Sequence, residues 1–494
     1  MKRKNIFSFM LLCFTALFLQ GCKDSDNAAM NWFEVLSDGN AVEQLDFHVA
    51  SSYKMLGINT DVDWTASVPE SDASWLTITP HEGFGYSDSL KNSYIKVSVE
   101  ANEGEERQSA ITIIAGGITK VIKVSQKGAG TDGSDPFESA FSFVRNLKLG
   151  YNLGNTLDAN PDINESWFNP TSVSDWETAW GQPTTTQEII DAIAAKGFNV
   201  IRVPVTWYPH MDEEDNVEAA WMNRVQEVVD MVLKAGCYCI LNVQHDNGAK
   251  DPARKDGAGW LYADESDYPT ITKRYQKLWQ QIATQFKDYD EKLIFESFNE
   301  ILNKSYSWTP PAAGDGAYTA INKLQQDFVN VVRATGGNNE YRNLALTTYS
   351  AGSSQTALDA FLLPEDSHQN HLYASIHTYD PYNFCNNNAG KNADGSEYDY
   401  NIKVFNDDCR TEISNVVSRV AKRFNNVGIP YVFGEFGAID EKKEMAERIK
   451  YATYITQQFK ANNTTGLWWM GLIDRKTLNW YESEIVDALF QGIQ

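Results

Sequence analysis

From Phe137 to the C-terminus, buried-strand patterns alternate with amphipathic helix patterns, and this rhythm limits the fold more than any other feature. One unit shows the rule. Thr185 and Glu188 make a Thr-x-x-Glu signature, which predicts a capping box ahead of a helix over 189–196. Gly197 stops that helix, and Val200-Ile201-Arg202-Val203-Pro204-Val205 reads as the buried strand after it. The same alternation predicts helix 221–235 before strand 238–243, helix 269–286 before strand 292–298, and helix 317–334 before strand 343–348. Strand 372–377, helix 411–424 with strand 430–434, and helix 441–460 with strand 465–470 complete the series. Counting an opening strand at 149–153, residues 137–494 predict an α/β domain folded as a (β/α)8 TIM barrel. The competing doubly wound sheet often carries a phosphate loop, but no G-x-x-x-x-G-K-[ST] signature occurs here.

Residues 38–128 follow a different period. The runs Leu45-Asp46-Phe47-His48-Val49, 94–99, 110–114 and 120–124 alternate apolar and polar residues between turns. They predict a small all-β sandwich with Trp64 and Trp75 in its core. Gly128 to Asp135 reads as a flexible linker, so 129–136 separates the two domains. The set Trp64, Trp75-Leu76-Thr77-Ile78-Thr79-Pro80, Arg107 and Val124-Ser125-Gln126 resembles a BACON module. That Ig-like family often precedes glycan-degrading domains in gut Bacteroidetes. The resemblance implies either carbohydrate binding or a spacer.

The first 21 residues read as an export signal. Lys2, Arg3 and Lys4 precede an apolar run from Ile6 to Leu19, which at roughly 14 residues is too short to span a bilayer. Leu19-Gln20-Gly21-Cys22 resembles a bacterial lipobox, which implies lipidation of Cys22 and a tether over 22–37. Lys23-Asp24-Ser25-Asp26 is similar to the surface-export signals of Bacteroidetes lipoproteins, so the expected location is the outer membrane, lipid-anchored and facing outward. Cys237 and Cys239 lie two apart in a strand and point to one face, poorly placed to pair. Cys385 and Cys409 flank a polar stretch and are either bridged or free. The net charge of −24 disfavours nucleic acid and anionic polysaccharide as partners. The chain is expected to act as a monomer.

In a barrel the strand C-termini share one mouth, and here they are polar and aromatic. Arg202 leads to Trp207 and His210; the third strand ends Asn242-Val243-Gln244-His245-Asp246; the fourth ends Glu296-Ser297-Phe298-Asn299-Glu300. The sixth ends His377-Thr378-Tyr379, the seventh Gly434-Glu435-Phe436-Gly437, and the eighth Trp468-Trp469. Glu300 and Glu435 end otherwise apolar strands, where an unpaired carboxylate is costly. Two carboxylates facing across one mouth suit glycoside hydrolysis, with one group as acid/base and the other as nucleophile. That chemistry needs no metal or cofactor.

Asn152-Leu153-Gly154-Asn155-Thr156-Leu157-Asp158-Ala159, Glu177 to Pro183, Gly197 to Trp207, Phe298-Asn299-Glu300 and Gly434-Glu435-Phe436-Gly437 together resemble glycoside hydrolase family 5 of clan A. Within it they are similar to the subfamily holding endoglucanases, xyloglucanases and lichenases. The resemblance implies a retaining endo-β-1,4-glucanase acting on a plant β-glucan, with Glu300 as acid/base and Glu435 as nucleophile. It further implies that Arg202 holds Glu435 ionised, that Asn299 bonds a sugar 2-OH, and that His377 and Tyr379 line the reacting subsite. Either Trp469 or Trp468 stacks under the sugar, since neighbouring strand residues face opposite ways; Trp469 is preferred. The family usually has His where Gln244 stands, so either His245 takes that part or Gln244 bonds a hydroxyl itself. His210 matches the subfamily or is structural. Trp167, Trp176, Trp260, Trp308 and Trp480 are loop residues able to stack further sugars, while His368 and His371 lack a clustered ligand set. The alternatives are an endo-β-mannanase and a non-catalytic surface glycan-binding lipoprotein.

Overall fold

The computed structural model describes residues 33–37, 40–47, 52–85, 93–100, 102, 104–128, 137–163, 165–247, 259–386, 403–439 and 443–494. Cys22, the signal, most of the tether and the linker 129–136 lie outside these residues. No helix among them is long and apolar enough to cross a membrane.

The N-terminal region forms two five-stranded sheets. Their alternating residues meet in one core that includes Leu56, Trp64, Ile78, Val97, Ile111 and Val124. The core begins earlier than the sequence pattern predicts. Phe33–Ser37 is a strand paired antiparallel with Ser52–Thr60, so it belongs to a sheet and not to a tether. The BACON-like residues converge in space: the Arg107 guanidinium lies 4.3 Å from the buried Trp75 ring, and its Nε donates to Gln126 Oε1 at 2.9 Å.

The second region is a closed barrel of eight parallel strands: Gly150–Asn152, Val200–Val203, Tyr238–Asn242, Leu293–Glu296, Leu344–Leu346, Leu372–Thr378, Tyr431–Phe436 and Gly466–Trp469. Strand alternation sorts their side chains. Outward-facing Tyr151, Ile201, Leu241, Phe295, Ile376 and Phe433 pack against the helical ring. Inward-facing Val200, Ile240, Ile294, Ala345, Tyr373, Val432 and Leu467 form an apolar layer in the lower barrel. The helix Ala140–Asn146, capped by the Ser139 hydroxyl on Ser142 N–H, closes the bottom by setting Ala140, Phe143 and Val144 against that layer.

Two local expectations change. Thr185 is not the helix cap; the helix Gln187–Ala195 starts after Thr186. Thr185 is buried, and its N–H donates to Glu177 Oε1 at 2.7 Å. Arg224 closes that site by bonding both Glu177 oxygens, so a buried ion pair and not a capping box anchors this helix start. The cysteines Cys237, Cys239, Cys385 and Cys409 are all free thiols.

Gly150 tests the layered interior. A Cβ there would stand 2.1 Å from Leu467 Cγ and 2.9 Å from Val200 Cγ1. Gly150→Ala is therefore expected to cost about 1–3 kcal/mol and to lower the melting temperature. An unchanged melt by calorimetry would show that the layer has slack.

Candidate active site

Above the apolar layer the inward positions turn polar: Asn152, Arg202, Asn242, Glu296, His377 and Glu435. Arg202 is their centre. It is fully buried; its Nε donates to Glu296 Oε2 at 2.6 Å and its Nη1 to Glu435 Oε1 at 2.7 Å and Asn152 Oδ1 at 3.0 Å. Nη2 donates to Asn299 Oδ1 at 2.9 Å, which leaves the Asn299 amide NH2 for a ligand. Asn152 Nδ2 in turn donates to the Gly434 carbonyl at 3.0 Å.

Glu435 points inward because the seventh strand is irregular. Its pairing with the sixth runs Ile376 to Phe433 and then His377 to Glu435, so Gly434 is an extra residue. Phe433 and Phe436 both pack outward, and the bulge between them turns Glu435 into the mouth. Gly434 is required there, since a Cβ would lie 2.2 Å from Ser375 Oγ.

An oxygen of Glu300, a nitrogen of His377 and an oxygen of Glu435 all lie within 4.8 Å of one another. His377 Nδ1 is 2.9 Å from Glu300 Oε1 and 3.6 Å from Glu435 Oε2, and Tyr379 Oη donates to Glu435 Oε2 at 2.9 Å. Burial alone would raise the pKa of Glu435, but the nearby His377 and Arg202 charges and the Tyr379 bond outweigh it and hold it below the usual carboxylate range. Burial pulls His377 down, but the two carboxylates prevail and raise it. Tyr379 is pushed well up by burial and by both carboxylates, so it stays a hydrogen-bond donor. The three clustered side chains match the ligand count of a cation site, but they are engaged with one another, and Arg202 supplies the local positive charge.

The descriptions of known families fit this geometry. The model for cellulase, glycosyl hydrolase family 5, matches residues 162–472, and that for BACON, a putative binding domain, matches 64–127. The chain belongs to glycosyl hydrolase family 5. Endoglucanase A of Clostridium longisporum is 35% identical over 371 residues, covering 72% of this chain, and this chain spans 66% of its length. A xyloglucan-specific endo-beta-1,4-glucanase of Bacteroides ovatus is 28% identical over 520 residues, covering 98% of this chain and 96% of its own. A family 5 enzyme of Prevotella bryantii, solved with a xyloglucan tetradecasaccharide, is 36% identical at a TM-score of 0.65, covering 73% of this chain and all of that one.

Other expected residues of the family 5 barrel divide clearly. Trp469 is half-buried, with its ring against Gly154. Trp468 is buried outside the barrel against Phe436, 5.3 Å between ring centres. Gln244 is buried, and its Oε1 accepts from Asn242 Nδ2 at 2.6 Å, which joins it to the Arg202 network through Glu296. His245 is more exposed, with Nε2 3.8 Å from Asp158 Oδ2 and its ring edge-on to Trp180. His210 is structural: it stacks on Trp221 at 3.6 Å, and burial depresses its pKa to about 3. His371 bonds Asn343 just ahead of the sixth strand, at the opposite end from the mouth, and neighbouring His368 bonds Ser367. Trp167 and Trp308 are exposed in loops that follow the first and fourth strands. Trp176 is instead buried between Phe168 and His210, and Trp480 stacks on Phe198 outside the barrel, so neither is free to take a sugar.

Two site residues carried no assignment from sequence. Glu296 stands two residues after the inward-facing Ile294, so the strand's own alternation turns it into the barrel, where Arg202 meets it. Buried Asp246 accepts from Trp207 N–H, Tyr208 N–H and Trp260 Nε1, fixing Trp260 beside the third-strand loop; burial moves its pKa up to about 6.

Arg202→Met would leave Glu296 and Glu435 buried without their shared cation, at an expected cost of about 3–5 kcal/mol. Glu435 would then ionise at higher pH, so the acid limb of the pH–activity profile should move upward. Thermal unfolding and the profile of the purified variant check both, and an acid limb that stays in place would discount the cation.

Proposed function

We propose that this chain is a retaining endo-β-1,4-glucanase that cuts internal bonds of a plant β-glucan, such as a cellulose-type chain, mixed-linkage glucan or xyloglucan. The separation of the two carboxylates carries the reading. Retaining enzymes hold theirs about 5–5.5 Å apart, whereas inverting ones leave about 6.5–9.5 Å for a water. Oxygens of Glu300 and Glu435 within 4.8 Å belong to the shorter class.

In the first half of the cycle, a Glu435 oxygen bonds to the anomeric carbon. The glycosidic C–O bond breaks as Glu300 gives its proton to the leaving oxygen. In the second half, Glu300 takes a proton from water, whose oxygen displaces Glu435 from the same carbon. Arg202 and Tyr379 hold one Glu435 oxygen each, so the nucleophile stays ionised and aimed. The free amide NH2 of Asn299 suits a sugar 2-OH, and Trp469 suits the apolar face of the same sugar. Internal cleavage of glucans is supported by relatives named as endoglucanases and by the xyloglucan complex of the Prevotella bryantii enzyme.

The export features support a lipid on Cys22 that anchors the protein in the outer membrane, facing outward, with the sandwich and linker between anchor and barrel. Cys22→Ala should move the protein from the membrane fraction to the soluble fraction and abolish labelling by radioactive palmitate; retained labelling would reject the anchor.

Glu300→Gln and Glu435→Gln should melt like the parent yet lose roughly 10²-fold or more in turnover. Proton NMR of the first products should show the β-anomer, and an initial α-anomer would reject double displacement. Reducing-end release is expected from barley glucan, xyloglucan or carboxymethylcellulose in preference to mannan. Dominant release from mannan would make the enzyme a mannanase, and no release from any polymer would make it a binding protein.

A further inference from the structure

The chain after the fifth barrel strand contains a strained turn, Tyr349–Ala351. Ser350 and Ala351 have φ of 52° and 50°, a left-handed pair with no glycine. Such a pair is unfavourable and persists only where its surroundings fix the backbone. They do so here. Ala351 N–H donates to Thr348 O at 3.0 Å, Gly352 N–H to Tyr349 O at 2.9 Å, and Thr348 Oγ1 to Gly352 O at 2.6 Å.

The turn grips the residues immediately after Glu300. Ser350 N–H donates to Ile301 O at 2.9 Å. The fully buried Tyr349 accepts Asn303 N–H on its hydroxyl at 3.0 Å and donates that hydroxyl to Ser307 O at 2.5 Å. From the other side, Ala263 N–H donates to Leu302 O at 2.7 Å. Ile301, Leu302 and Asn303 are thus each tied to a neighbouring loop. Glu435 is held by Arg202 and Tyr379 through its side chain, but among the described residues the Glu300 carboxylate bonds only His377. The place of Glu300 therefore depends on its backbone.

We infer that Tyr349 and the left-handed Ser350–Ala351 turn are positioning residues, which set the distance of the Glu300 carboxyl from the leaving oxygen. The inference rests on the acid/base role proposed for Glu300. Misplacing a proton donor matters where the departing oxygen needs a proton and little where it does not.

The test compares kcat/KM, which reports the first half of the cycle, for phenyl and 2,4-dinitrophenyl β-cellotriosides. Tyr349→Phe and Ala351→Val should lose about 10- to 100-fold on the phenyl substrate and less than about threefold on the dinitrophenyl one. Ala351→Val puts a β-branched side chain at a positive φ and should drive the turn out of its left-handed conformation, so its loss should keep the same preference for the phenyl substrate while Tyr349→Phe melts close to the parent. Equal losses on both substrates, or activity that falls only in step with the melting temperature, would overturn the inference. Glu300→Gln is the control. If it shows no leaving-group dependence, the acid/base assignment itself fails; if it does and the turn variants do not, the positioning role alone fails.

Discussion

The buried Arg202 guanidinium governs the upper half of the barrel. A cation cut off from water is tolerable only with close anionic partners and with its remaining donors bonded. Glu296 and Glu435 supply the charge, and Asn152 and Asn299 take the other bonds. These groups come from the first, second, fourth and seventh strands or their ends, so the site forms only when the cylinder closes. Two carboxylates on one cation leave negative charge over. His377 lies against it, and its raised affinity for a proton follows.

The barrel was legible because each layer leaves its own trace in sequence. Outward residues such as Ile201, Leu241 and Phe295 must be apolar to meet helices, and the helices repeat their own period. The mouth was legible for the opposite reason, since charged and amide groups at strand ends have no place in an apolar core. Arg202, Asn299, Glu300, His377, Tyr379 and Glu435 stand out on those grounds and are gathered at one place.

What sequence did not show depends on geometry that spacing alone does not carry. The bulge at Gly434 places Glu435 on the inner face, against the strict alternation of a regular strand. Glu296 reads as one more polar strand-end residue until Arg202 is seen beside it. Thr185 and Glu188 have the spacing of a cap, yet the buried Glu177–Arg224 pair claims Thr185 first. Phe33–Ser37 is too short and too close to the N-terminal polar stretch to declare itself, and it is a strand only because Ser52–Thr60 offers it an edge. Trp480 shows the same limit, as a loop tryptophan whose partner, Phe198, is distant in the chain.

The helix Ala140–Asn146 and the apolar layer above it make the barrel blind at one end. Among the described residues the floor is filled by side chains, so solvent and sugar both reach Glu300 and Glu435 from the mouth. In the proposed cycle the departing chain and the arriving water therefore use the same face of the barrel. A barrel open at both ends would offer water a way in from behind; this one leaves the whole traffic of the reaction to a single rim.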